Sequence, residues 1–332
     1  MPDKIKPSEE VFLRADAVVI WSPVMSRKTP VTAEPANVDG AILRLAEAEL
    51  ARQLARPLEA GLHLVATPLG NLGDMTLRAI AVLARADAIY CEDTRVSRTL
   101  LAHFGMTAQP ARYHEHNAAA ERPRILALLE AGKRVALICD AGTPLVSDPG
   151  YKLVRAAIEA GHRVTSVPGP SATLAALTAS GLPSDTFLFA GFLPQKSGPR
   201  FARIRELRAL PATLIVFEAP SRVSGALADM AEVMGATRPA AVARELTKLH
   251  EEVRRGTLGA LAAETARQEL RGELVILVGP AEAEEAGDDA IEARLREALT
   301  TMSLRDAAEA VARALGVPRS RAYDIGLRIK RS

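Results

Sequence analysis

The chain has 332 residues, 48% of them hydrophobic and 25% charged, which excludes a disordered or fibrous protein and leaves room for two domains and an appendage. A net charge of +2 excludes a polycation that binds nucleic acid through bulk charge, so any such surface must be local. Only 4% of residues are aromatic, which argues against a face built for stacking bases; no apolar run approaches the roughly 18 residues of a membrane span, and Cys91 and Cys139, at neither metal nor CxxC spacing, read as buried thiols of a reducing cytoplasm.

Residues 1–60 are punctuated by prolines at 2, 7, 23, 30, 35 and 57 and read as a partly disordered leader. It holds a short apolar stretch, Ala17 to Trp21, and one helix-forming stretch from Ala41 to Ala55. From Leu62 the pattern alternates. Strands are predicted at 62–67, 88–91, 135–139 and 163–167, with helices at 76–85, 97–104 and 122–131 and another ending near Ala160. Strands alternating with helices of this length give a mainly parallel, doubly wound sheet over residues 61–180. A second α/β domain over 181–280 has strands at 186–191, 213–218, 240–244, 251–257 and 273–279, and helices near 200–210, 222–234 and 258–269. Its closer strand spacing predicts a mixed sheet.

Residues 281–290 form an acidic linker carrying Glu282, Glu284, Glu285, Asp288 and Asp289. A small helical unit follows over 291–332. Ser303 and Asp306 have capping-box spacing, Gly316 ends one helix and Pro318 suits the first turn of the next. Seven Lys/Arg against three acids from 303 onward suit either docking on nucleic acid or a solvated helical hairpin.

Two loops carry the functional signal. Asp140-Ala-Gly-Thr-Pro144 follows the strand at 135–139, and Pro168-Gly-Pro-Ser171 follows the strand at 163–167. Both fall at carboxyl ends of parallel strands, where backbone N–H groups and helix starts gather in open α/β sheets, so together they form a candidate small-molecule cradle. No two glycines are separated by a single residue, which removes the GxGxxG dinucleotide fingerprint; Walker A and GxSxG are also absent. His114 and His116 lack a third ligand and are poor candidates for a metal site. Four polar groups remain at strand ends: Glu92, Asp93 and Arg95; His114, Glu115, His116 and Asn117; Lys196 and Arg200; and Arg244, Glu245, Lys248, His250 and Glu251. Each alone suits a surface salt bridge, but together they can line one cleft. Residues 192–208 carry five basic residues and one acid, a patch that suits a phosphate backbone.

The runs VATPLGNLGDMTLRA, EDTR, HEHN, CDAGTPLVSDPG, VPGPSA, FLPQK, FEAPSR and RELTKLHEE, in this order and spacing, resemble the bacterial small-subunit (16S) rRNA (cytidine 2'-O) methyltransferase family of the tetrapyrrole methylase superfamily. The resemblance is dense over residues 62–280, looser from about 290, and absent over 1–60. It implies a two-domain fold binding S-adenosylmethionine in the cleft, consistent with the missing GxG. By motif, the cofactor would lie against Asp140, Ala141, Gly142, Thr143 and Pro144, beside Pro168, Gly169, Ser171 and Ala172, with Glu218, Ala219 and the strand from Gly272 to Gly279 contributing from the second domain. It further implies a cytoplasmic homodimer acting on the assembled small ribosomal subunit, at the ribose of a decoding-centre cytidine, with the tail docking on RNA. For the chemistry, Asp93 or Glu115 is the candidate base, and Arg95, Lys196 or Arg244 the candidate stabiliser of an alkoxide or phosphate. Methylation of a tetrapyrrole or a protein by the same fold, and a non-catalytic RNA-binding assembly factor, are the alternatives.

Overall fold

The computed structural model describes residues 38–268, 270–281 and 287–331. The leader expected over 1–60 and the acidic stretch at 282–286 fall wholly or partly outside these residues. The chain divides into two units, residues 1–47 and 48–332, and α1 (Val38–Ala55) carries the end of one and the start of the other.

The first sheet is wholly parallel, in the order β3-β2-β4-β1-β5. Its strands are β1 (Gly61–Val65), β2 (Ala88–Cys91), β3 (Ala111–Arg112), β4 (Arg134–Ile138) and β5 (Val164–Val167). β4 reads Val-Ala-Leu-Ile because both its faces are covered, and all four of these residues are buried. On one face α2 (Leu77–Arg85) and α3 (Thr94–His103) pack Ala79, Val82, Leu83 and Leu101 against Val65, Ile89, Ala136 and Ile138. On the other, α4 (Ala118–Glu130) and α5 (Tyr151–Glu159) pack Ile125, Leu129, Leu153 and Ala157 against Leu62, Tyr90, Val135 and Leu137. Each fully buried Leu, Ile or Val contributes about 1.5–3 kcal/mol relative to exposure.

This winding has one consequence for function. β1 and β4 are neighbours, but the chain leaves β1 for the α2 face and leaves β4 for the α5 face. Their carboxyl ends therefore open a crevice between them, at the switch point of the sheet.

The second sheet is mixed, in the order β6-β7-β10-β8-β9. It contains β6 (Phe187–Phe192), β7 (Thr213–Glu218), β8 (Pro239–Arg244), β9 (Glu252–Thr257) and β10 (Leu274–Val278). α7 (Ser197–Leu207), α8 (Val223–Met234) and α9 (Leu258–Arg267) cover one face, where Ile204, Leu227 and Leu261 join Leu214, Val242 and Ile276. The other face is covered by α6 (Ala172–Ser180), a helix not expected from the sequence. Its uniform Ala/Leu/Thr composition gives no polar face to read, yet Ser171 caps its start, Gly181 ends it in the left-handed region, and Ala176 and Leu177 bury against Ile215, Ala241 and Leu277. α6 thus carries the chain from the cradle loop at 168–171 directly onto the second sheet.

At the C-terminus, α10 (Asp288–Ala298), α11 (Leu304–Leu315) and α12 (Arg319–Arg331) enclose a separate core of Ile291, Leu295, Ala308, Val311, Ala322 and Ile325. α10 begins inside the stretch read as linker. Asp288 and Asp289 in its first turn suit the positive end of the helix, and Asp288 also bonds Arg321 at 3.0 Å and Arg328 at 3.3 Å. Among the described residues no helix is long and apolar enough to cross a membrane.

Candidate active site

The two cradle loops meet in the crevice. Thr67, after β1, and Gly142, after β4, exchange both backbone hydrogen bonds at 2.9 Å, and Thr67 Oγ1 donates to the Cys139 carbonyl at 3.0 Å. Gly142 has φ +83°, and a Cβ there would stand 3.1 Å from Leu69, so the turn requires a residue with neither side chain nor left-handed penalty. Thr143 Oγ1 donates to the Pro170 carbonyl at 3.0 Å, tying the β4 loop to the β5 loop. Gly169 lies against Ala66, closing the third side.

Asp140 and Asp93 stand beside this floor. Asp140 Oδ1 accepts from the Asp93 amide at 3.0 Å, linking the ends of β4 and β2, and burial raises its pKa. The Asp93 carboxylate accepts from the Arg95 amide at 2.8 Å, capping α3, and clasps the Arg95 guanidinium at 2.6 and 3.1 Å. These bonds hold its carboxyl at about 2, so it is a weak base and chiefly fixes Arg95, which remains largely exposed.

The second sheet meets this crevice with one end. Pairing of Glu218 and Arg244 with Leu274, and of Arg244 with Glu252, places these residues together at that end. Two close approaches cross to the first sheet: Gly70 lies flush on the aliphatic stem of Lys248, and Gly191, at the β6 bulge, faces Ser147 Oγ. Lys248 is itself fixed by Glu245 at 3.0 Å and Glu273 at 3.1 Å.

The sequence-predicted residues sort by what already holds them. Ala141 and Gly142 carbonyls each lie 3.3 Å from the Cys139 thiol, and Gly142 has spent its own N–H on Thr67. Pro144 is buried, and Pro168 is exposed. Glu218 is 2% exposed, accepts from the Ala219 amide at 2.8 Å and from Arg222 at 3.0 Å, while Arg222 reaches the Leu193 carbonyl; this pair anchors the β7 end rather than offering a free carboxylate. Arg244 pairs with Glu252 at 3.3 Å. Arg200 is committed to Asp229 at 2.6 Å. Lys196, at the start of α7, is exposed and has no carboxylate partner among the described residues. Glu115 is exposed beside Lys152 at 3.7 Å, past the end of β3, the edge strand remote from β4's crevice with β1.

Four residues were not legible beforehand. Asp148, in the β4–α5 loop, is pushed up to about 6 by burial and by the nearby Glu92 carboxylate, and it approaches the Cys139 thiol, which burial pushes up to about 12. Leu145 and Ser147 in the same loop have φ of 73° and 67°, conformations that L side chains avoid and that cluster at functional sites. Thr173, in the first turn of α6, keeps a buried hydroxyl with no hydrogen-bond partner among the described residues, beside the cradle residues Ser171 and Ala172.

Residues 61–262 match the pattern of the Tetrapyrrole (Corrin/Porphyrin) Methylases, and residues 285–330 match the RsmI C-terminal HTH domain. A Mesorhizobium japonicum protein named ribosomal RNA small subunit methyltransferase I is 53% identical over 83% of this chain and 94% of its own. Proteins of the same name from Xylella fastidiosa and Escherichia coli O157:H7 are 47% and 41% identical, over 79% and 83% of this chain and 97% of each of theirs. Among solved structures, the cobalt precorrin-4 methyltransferase CbiF aligns at TM-score 0.52 and 18% identity over 66% of this chain and 94% of its own, and the methyltransferase CobJ at 0.52 and 21% over 69% and 97%; at such identity the likeness concerns the fold. With the family pattern spanning residues 61–262, the helical tail matched over 285–330 and relatives of 41–53% identity covering about four fifths of the chain, the chain belongs to the tetrapyrrole methylase family, in the group of ribosomal RNA small subunit methyltransferases I.

Proposed function

We propose that this protein methylates the 2'-hydroxyl of a cytidine ribose in 16S rRNA of the assembled small ribosomal subunit, in the cytoplasm, as a homodimer using S-adenosylmethionine. The observation that carries the reading is the cradle at the β1/β4 switch point, set in a chain 53% identical to a protein named for this RNA.

The residues present fit the donor. The Asp140 carboxylate suits a cationic or hydroxyl-bearing ligand, the Thr173 hydroxyl, without a partner among the described residues, awaits a polar group, and the close packing of Gly142 on Leu69 and of Gly169 on Ala66 draws together the loops 140–144 and 168–172 that would hold the donor. Glu218, Ala219 and the strand approached by Gly272 act on this reading as the frame of the opposite wall. When bound, the donor supplies an electrophilic methyl group on a sulfonium sulfur.

The chain's own contribution is chiefly alignment, which can supply several kcal/mol when a nucleophile is held in line. The two sheets close over the crevice at Gly70–Lys248 and Gly191–Ser147 and restrict water there. Arg95, aimed by Asp93, and the exposed Lys196 hold backbone phosphate or the developing alkoxide; Arg244 braces the loop that carries Lys248. Neither candidate base stands free at the cradle: Asp93 is held by Arg95, and Glu115 pairs with Lys152 past the edge strand β3, so alignment carries the reaction and the ribose proton passes to solvent. The helical unit at 291–332 docks on the RNA. The test is to map the methyl group introduced into unmodified small subunits: a single 2'-O-methyl cytidine supports the reading, whereas a base methyl, or co-purification of a coloured macrocycle without RNA labelling, overturns it.

A further inference from the structure

We infer that an arginine-lined cavity beside β5, outside the cradle, is a phosphate-binding site that extends the track of the bound RNA. The cavity encloses about 240 Å³. Its ionisable lining comes from four segments: Arg56 and Glu59 from the strap between α1 and β1, His63 from β1, Arg78 and Arg85 from α2, and Arg163 from the turn just before β5.

The charges do not balance. Among the described residues of the lining the single carboxylate, Glu59, is taken by Arg163. Arg85 donates to the carbonyls of Leu54 at 3.0 Å and of Arg56, which fixes its guanidinium without neutralising it. Among the described residues Arg78 reaches only the Ser166 carbonyl, at 3.4 Å, and Arg56 has no carboxylate partner. His63, 3% exposed and 3.0 Å from the Glu59 carbonyl, has its pKa lowered by burial and by Arg134, so it adds a neutral donor or acceptor at the floor. Three uncompensated guanidiniums around a concave space attract an anion, and their planar forks match the oxygens of phosphate. The space is smaller than the roughly 300 Å³ at which pockets for drug-sized organic ligands begin, and it suits one or two phosphate groups.

The position says where the phosphate comes from. Thr76, which caps the start of α2, lies against Gly169 of the cradle, and Arg78 bonds the residue two before Pro168. Arg78 and Arg85 lie about 10 Å apart along α2 at 1.5 Å per residue, so the cavity leads away from the cradle along one helix. A nucleic-acid strand whose ribose lies at the cradle can run its backbone into it. Only this choice of source rests on the rRNA reading; the phosphate site itself does not.

The test uses the full chain and inorganic pyrophosphate as probe, followed by the imidazole signals of the six histidines. Saturable binding that moves the His63 signals, weakened at least about ten-fold in Arg56→Ala/Arg78→Ala and partly restored in Arg56→Lys/Arg78→Lys, is the expected result. Absence of saturable binding by the wild type, or equal binding by the alanine variant, overturns the site. In the RNA arm, the alanine variant should raise KM for unmodified small subunits about ten-fold at unchanged kcat, with a shallower salt dependence. Lost pyrophosphate binding with unchanged KM overturns RNA as the source and leaves a small phosphorylated ligand. If the wild type methylates no subunit, the rRNA reading falls while the pyrophosphate arm still decides the site.

Discussion

The amide of Asp93 donates to the carboxylate of Asp140 at 3.0 Å, so the ends of β2 and β4 are locked across the floor of the crevice. Asp140→Ala leaves that half-buried amide without its acceptor, a loss of about 1–3 kcal/mol. Affinity for S-adenosylhomocysteine, measured by calorimetry, should fall about 10- to 100-fold, and Asp140→Asn should retain more of it because the amide oxygen still accepts. An alanine variant with wild-type affinity would remove Asp140 from the site.

Asp148 titrates at about 6 in the folded chain, above an ordinary carboxyl near 3.9. The folded state therefore binds its proton more tightly, and the stability this confers is full below about pH 4 and lost as pH rises through about 6. Asp148→Asn should flatten this part of the stability–pH curve and raise stability at pH 7 by about 1–2 kcal/mol, after discounting for partial solvent exposure. Denaturant unfolding of both proteins between pH 4 and 8 checks the sign.

Gly70 and Lys248 touch across the two sheets with no room for a side chain. Gly70→Val forces Lys248 away from Glu245 and Glu273, at an overpacking cost of about 1–3 kcal/mol. Because the contact closes the crevice, kcat/KM should fall more than the melting temperature alone explains. Steady-state kinetics well below the melting transition separates the two effects.

The C-terminal core shares no residue with the cores of either sheet. Deleting residues 282–332 should therefore leave the sheets folded and donor affinity intact, while weakening binding to the small subunit and reducing its salt dependence. Equal loss of donor and subunit binding would show that the tail supports the sheets instead.

Much of this architecture was legible in the amino-acid pattern because periodicity and punctuation agreed. β4 announced itself as an unbroken apolar run, and Ser303, Asp306 and Gly316 marked α11 at both ends. α6 was missed because an Ala/Leu/Thr helix buried on one side and half-covered on the other has no amphipathic stripe, leaving only Ser171 and Gly181 as signals. α3 starts at Thr94, earlier than its apolar pattern, because the cap is Asp93, a residue that also reads as a catalytic candidate. The cradle loops were visible as Gly/Pro breaks after strands. Their partners were not: the Thr67–Gly142 bridge joins residues far apart in sequence, and the raised pKa of Asp148 arises from burial that no local pattern reveals.

The most direct test is transfer of labelled methyl groups from S-adenosylmethionine to small ribosomal subunits lacking the modification, comparing the wild type with Asp140→Ala and with already modified subunits as control. Label in the rRNA of the unmodified subunits alone, greatly reduced in the variant, is the predicted result. Donor binding without RNA labelling would contradict the substrate, and undiminished labelling by the variant would contradict the site.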